Sequence, residues 1–73
     1  MKYSEIVDTI GSAEQINEHI WKEEVVTLDQ KRWFVVYEFS DEEIAEAKKC
    51  DDPTQFEDFL PWDEDHVFGV EEV

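Results

Sequence analysis

The fold is decided by residues 33–39, which read Trp33-Phe34-Val35-Val36-Tyr37-Glu38-Phe39. β-branched and aromatic residues dominate this stretch, as is typical of a strand. Side chains alternate between the two faces of a strand, so the odd-numbered residues share one face, and Phe34 and Val36 share the other with Glu38. Both faces carry large apolar groups. Either the strand is central and covered on both faces, or one face is open to a partner.

Two further strands are predicted from similar signals. Val25-Val26-Thr27-Leu28 is a β-branched run, and the polar residues Asp29-Gln30-Lys31-Arg32 that follow it predict a hairpin turn into residues 33–39. The third predicted strand runs from His66 to Val70 and places Phe68 and Val70 on one face.

Capping signals predict two short helices before these strands. Ser4 begins a brief helical turn that ends at Gly11. Ser12 and Gln15 then form a capping-box pattern for a helix that runs to about Lys22.

Two more helices are predicted after residue 39. Ser40 with Glu43 opens one that runs to about Lys49, and Asp52-Pro53 opens a short one that Pro61 stops. The chain is therefore predicted to be a single acidic domain over residues 1–73 of the α+β class. It has a small three-stranded antiparallel sheet and short helices, in the order α-α-β-β-α-α-β.

Composition limits the function classes. The 73 residues carry 21 Asp and Glu against 6 Lys and Arg, a formal net charge of −15. This charge argues against direct binding to DNA, RNA or an anionic membrane, because such contacts need Lys and Arg. The three Trp, five Phe and two Tyr argue against disorder. The chain has a lone cysteine, no apolar run of ~18 residues and no signal-peptide pattern. These features predict a cytoplasmic protein.

No residue pattern predicts catalysis. Cys50 is expected near a helix C-terminus beside two aspartates, where a thiolate is disfavoured, so a partly buried structural thiol is favoured. His19 and His66 fit no zinc motif. A surface position is favoured for His19, and a capping or strand-start role is favoured for His66. The acidic run before His66 lacks the spacing of a calcium loop. The sequence therefore predicts neither an enzyme nor a cofactor.

The charge pattern is the informative feature. From Asp51 onward nine acids face no Lys or Arg, and the predicted helix at Ser40 adds four acids immediately upstream. Carboxylates one helical turn apart are ~5–6 Å from one another, comparable with phosphate separations along a nucleic-acid strand. Trp62, between Pro61 and an acidic run, is the candidate apolar anchor. The predicted partner-binding residues are Asp41, Glu42, Glu43, Glu46, Asp51, Asp52, Glu57, Asp58, Trp62, Asp63, Glu64 and Asp65.

In size and charge the whole chain resembles the heterogeneous class of small acidic DNA-mimic inhibitors, many of them phage-encoded, that block restriction enzymes, CRISPR effectors or DNA-repair glycosylases. The resemblance rests on no shared motif and carries over no residue. It implies a stoichiometric inhibitor that occupies the nucleic-acid-binding site of a basic target protein, acting in the host cytoplasm if the protein is phage-encoded.

Other interpretations remain open at this point. An immunity protein, antitoxin or regulatory adaptor could bind a basic partner without mimicry. A homodimer could form through the Phe34 and Val36 face. Acids are also favoured at helix N-termini, for solubility and by halophilic adaptation. These causes readily explain a smaller net negative charge than the −15 of this chain.

Overall fold

The computed structural model describes residues 1–73 and contains one four-stranded antiparallel sheet, in the order β1-β2-β3-β4. Each strand pairs with the next one along the chain. The strands are β1 (Ile6–Gln15), β2 (Ile20–Thr27), β3 (Arg32–Glu38) and β4 (Val67–Glu72). The single α-helix, α1 (Asp41–Ala47), and the 3₁₀ helix Pro53–Phe59 lie between β3 and β4, and 3₁₀ turns occupy Tyr3–Glu5 and Glu64–His66.

The chain folds as a small α+β domain, but the predicted three-stranded sheet and the order α-α-β-β-α-α-β are wrong. The two helices predicted before β2 do not form, because residues 6–15 are a strand that pairs with an extended β2. Gly11, expected to end a helix, instead lies at φ 70° in a bulge of β1. That conformation is one that glycine adopts without steric cost.

The core lies on one face of the sheet. Trp21, Tyr37 and Phe39 are fully buried there, and Trp21 lies directly opposite Tyr37 in the β2–β3 register. Ile44 and Leu60, from the segment between β3 and β4, complete the same cluster. The helical segment therefore covers the face of the sheet that holds the odd-numbered residues of β3.

The other face of the sheet has no helix packed over it. Phe34 and Val36 are half-buried and stand outside the core cluster. The ammonium of Lys22 lies 4.3 Å from the centre of the Phe34 ring and also contacts Glu71. β3 is thus central within the sheet but covered by a second layer on only one face.

The predicted hairpin turn is present between β2 and β3. The backbone N–H of Thr27 donates to Lys31 O at 3.0 Å, and Gln30 takes a left-handed φ of 65°. The third predicted strand is also present, shifted towards the C-terminus as β4. A bulge in the β3–β4 pairing leaves Phe68 69% exposed. No helix is long and apolar enough to cross a membrane.

A candidate partner-binding surface on the acidic layer

The acidic layer is defined here as residues 41–66, which form the layer that covers the core face of the sheet. It contains eleven acids and two lysines, a net charge of −9 out of the −15 of the whole chain. All eleven acids predicted from the sequence to bind a partner belong to this layer. The fold therefore collects on one side of the sheet the acids that the sequence spreads over 26 positions.

A capping box fixes the start of α1, as predicted. The backbone N–H of Glu43 donates to Ser40 Oγ at 3.2 Å, and the backbone N–H of Ser40 donates to Glu43 Oε1 at 2.9 Å. The bond from the Ser40 backbone is the main reason that the pKa of Glu43 is lowered. Glu42 and Glu46 are on the exposed side of this helix.

His66 joins two parts of the acidic layer. Its Nε2 contacts a carboxylate oxygen of Glu43 on α1, and its Nδ1 contacts Asp63 Oδ1. Ionised carboxylates only accept hydrogen bonds, so the two contacts favour the protonated ring, which donates from both nitrogens. These bonds, that to Asp63 first, raise the pKa of His66. The ring also lies 5.4 Å from that of Phe39 and so rests on the core.

A second histidine pair ties the layer to the sheet. His19 Nε2 contacts Asp41 Oδ1, and this bond raises the pKa of His19. His19 lies in the turn before β2 rather than on the predicted helix. Asp41 is therefore paired within the chain, although its own side chain stays 91% exposed.

The loop between α1 and the 3₁₀ helix is held by Asp52. Its Oδ1 accepts from the backbone N–H of Thr54 at 3.0 Å and from Thr54 Oγ1 at 2.6 Å, and Pro53 follows at the first helical position, as predicted. The bond from the Thr54 hydroxyl is the first reason that the pKa of Asp52 is lowered. Cys50 is half-buried and donates its S–H to Asp52 O at 3.1 Å. Asp51 is exposed.

Trp62 lies mainly within the molecule. Its ring meets those of Phe39 and Tyr37 edge-on, with centroids 4.9 Å and 5.1 Å away, and its Nε1 donates to Glu57 O at 2.8 Å. The side chain is partly buried against the core cluster. It therefore seats the acidic layer on the sheet, and only the remaining exposed part of the ring is free to touch a partner.

Phe59 is the exposed aromatic side chain of the acidic layer that the sequence analysis missed. The sequence predicted it, with Phe56 and Leu60, in the short helix that opens at Asp52-Pro53 and stops at Pro61. The 3₁₀ helix is instead kinked at Gln55, whose φ of −111° and ψ of 20° are not helical. Phe56 and Leu60 still reach the core, whereas Phe59 is left 62% exposed.

Glu23 was also missed. It lies on the core face of β2, opposite Val35, and burial raises the pKa of its carboxyl. With Glu57, Asp58 and the β1 bulge it lines a pocket of about 240 Å³ beside Trp62. Glu23 alternates with Trp21 and Val25 along β2. This alternation would have placed Glu23 on the core face if the predicted strand had begun at residue 20.

Seven acids of the layer have no ion pair within the chain: Glu42, Asp51, Asp52, Glu57, Asp58, Glu64 and Asp65. Glu64 and Asp65 are exposed in the 3₁₀ turn after Asp63, and their side chains accept no hydrogen bond. No group of three or more His, Cys, Asp and Glu side chains is arranged to hold a metal ion. Six of the seven unpaired acids, all but the half-buried Glu57, are exposed, so the layer presents carboxylates to the outside.

Comparison with known proteins finds no match. No family model, curated protein or solved structure matches the chain.

Proposed function

We propose that the protein is a stoichiometric inhibitor that occupies the nucleic-acid-binding site of a basic target protein, with the acidic layer in place of the phosphates. The observation that carries the proposal is the concentration of unpaired charge in one layer. Residues 41–66 hold −9 of the net charge of −15, and seven of their eleven acids have no ion pair within the chain. Lys and Arg side chains that bind phosphates in a nucleic-acid site would find carboxylates in the same role here.

The mechanism is competition. Lys and Arg side chains that line the target's nucleic-acid site meet the unpaired carboxylates of the acidic layer, and the folded domain then blocks the site. Because the layer is already held in place by Trp62 and by the His66 contacts, little order has to be gained on binding. Binding rather than catalysis produces the effect.

The target class follows from the same chemistry. A nuclease, a CRISPR effector or another DNA- or RNA-binding protein presents the basic groove that this surface fits. An anti-defence protein of a phage, acting in the host cytoplasm, would have such targets.

Capture with competition tests the proposal. Immobilised protein is incubated with host lysate at fixed ionic strength, and bound proteins are eluted with duplex DNA, with RNA, or with salt alone at the same ionic strength. The proposal predicts that nucleic acid releases the partner and that the salt control does not. A partner that stays bound in excess nucleic acid would instead point to an acidic module that binds without mimicry.

A matched pair of variants separates the acidic layer from overall charge. Glu64→Gln/Asp65→Asn removes two charges from the layer, and Asp8→Asn/Glu72→Gln removes two from β1 and β4. Glu64 and Asp65 are exposed and their side chains make no hydrogen bond or ion pair within the chain, so the first variant is expected to fold normally. Capture should weaken with the first variant and persist with the second. Equal weakening would contradict a role for the acidic layer as such.

A further inference from the structure

A groove runs between α1 and the end of the kinked 3₁₀ helix. Its volume is about 600 Å³. Ala47, Phe59 and Pro61 give it an apolar floor, and Glu42 and Glu46 of α1 stand along one wall. Cys50, Lys49 and the capping residue Glu43 complete the lining.

Part of this floor is apolar surface that the fold leaves uncovered, since Ala47 is buried but Phe59 is not. Phe59 is 62% exposed even though Phe56 and Leu60 beside it reach the core. An aromatic face beside carboxylates suits a side chain that has both a flat or apolar body and a positive end. Arginine fits best, because its planar guanidinium stacks on aromatic rings and is weakly hydrated, whereas lysine has a compact, strongly hydrated ammonium.

The wall of the groove already holds a basic side chain. Lys49 Nζ lies 2.9 Å from Glu46 Oε2, with both side chains about three-quarters exposed at 72% and 75%. Glu42 has no cation partner within the chain, and Glu43 is committed to Ser40 and His66. The chain's own lysine therefore marks where a partner's cation would lie.

We propose that this groove receives an arginine side chain of a basic partner. The guanidinium lies between Glu42 and Glu46, its flat face rests on Phe59 and Pro61, and Lys49 is displaced. The assignment of this arginine to the inhibited target rests on the proposed function. The groove contact itself is a property of this chain and can be tested without the target.

Cys50 supplies the readout, because it is the only thiol and lines the groove. The probe is a hexa-arginine peptide in 0.15 M NaCl, and the measured quantity is the rate at which iodoacetamide alkylates Cys50. This reagent is uncharged, so neutralising the acidic layer does not attract or repel it. A peptide that fills the groove should slow alkylation in a saturable way, and the titration yields its dissociation constant.

Lys49→Gln and Lys48→Gln form the decisive pair. Both remove one positive charge, but Lys48 lies over the Phe56 ring at 5.0 Å and does not line the groove. Lys49→Gln should tighten peptide binding about threefold, because a competing cation is lost. Lys48→Gln should change it by less than about twofold, as expected for screened charge at a distance.

Phe59→Ala and Phe68→Ala test the floor in the same way. Both rings are more than 60% exposed, at 62% and 69%, so circular dichroism should show that both variants fold. Phe59→Ala should weaken binding about fivefold, as for an interface side chain worth ~1 kcal/mol. Phe68→Ala should leave it unchanged.

Three results would overturn the proposal: no protection of Cys50 by the peptide, equal effects of the two lysine variants, or equal effects of the two phenylalanine variants. These failures are separate from failure of the proposed function. Protection of Cys50 together with a target that retains its nucleic acid would sustain the groove and contradict mimicry. Displacement of nucleic acid without protection of Cys50 would support mimicry and contradict the groove contact.

Discussion

Replacing Trp62 with alanine should destabilise the protein strongly, although the sequence suggests an interface residue. The ring contacts those of Trp21, Tyr37 and Phe39, and its N–H donates to Glu57 O. Loss of a buried aromatic side chain costs about 3–5 kcal/mol. Since Trp62 is partly rather than fully buried, we expect the lower end, about 3 kcal/mol.

That loss is large for a chain of this length. A 73-residue domain has a free energy of unfolding of roughly 4–11 kcal/mol. At about 4–8 °C per kcal/mol, Trp62→Ala should lower the melting temperature by about 12–24 °C. Phe59→Ala is the matched control in the same segment, and its cost should stay within about 0.5 kcal/mol because the ring is 62% exposed.

Urea unfolding followed by far-ultraviolet circular dichroism measures both variants without relying on tryptophan emission. The midpoint should fall for Trp62→Ala with little change in slope, and should hardly move for Phe59→Ala. A loss below about 1 kcal/mol for Trp62→Ala would refute its role in seating the acidic layer on the sheet.

Three further predictions follow from the charges. The raised pKa of His66 means that its contribution to stability is complete below the unfolded value of about 6.5 and is lost as pH rises through the folded value. The melting temperature should therefore fall as pH is raised above about 6.5, and His66→Gln should reduce that fall; an unchanged fall would argue against the imidazolium. His19, shifted in the same direction by Asp41, should supply the remainder. Moderate NaCl should raise the melting temperature by screening the net charge of −15, whereas a flat response would show that the acids are well dispersed. EDTA should leave melting unchanged, and a large decrease would reveal a structural cation.

The strands and caps that could be predicted are those with a complete local signal. Residues 33–39 combine β-branched and aromatic side chains on both faces, and Ser40 with Glu43 satisfies backbone groups within four positions. Both features need only their own neighbours in the sequence, and both are present in the structure.

β1 could not be predicted because it is an edge strand with little to bury. Eight of its ten residues are exposed, so it lacks the alternation that marks a half-buried strand. Ser12 and Gln15 also imitate a capping box, whereas the structure pairs this segment with β2 as a strand. Misassigning β1 then removed Trp21 and Glu23 from the predicted sheet.

The charge of the candidate surface could be predicted, but its arrangement could not. Composition alone marks residues 41–66 as acidic. Whether a carboxylate is already paired within the chain depends on contacts between residues that are distant in the sequence, such as His19 with Asp41 and His66 with Glu43. The exposure of Phe59 and the partial burial of Trp62 likewise depend on how this segment packs against the core, which local sequence patterns do not encode.

The most direct test of mimicry is a titration of the protein into a preformed complex of its purified target with labelled DNA or RNA. Fluorescence anisotropy reports release of the nucleic acid, and light scattering reports the mass of the species formed. Mimicry predicts full release at one inhibitor per site, with association that slows steeply as salt is raised and that Glu64→Lys/Asp65→Lys slows further. A ternary complex in which the nucleic acid stays bound at full affinity would contradict mimicry.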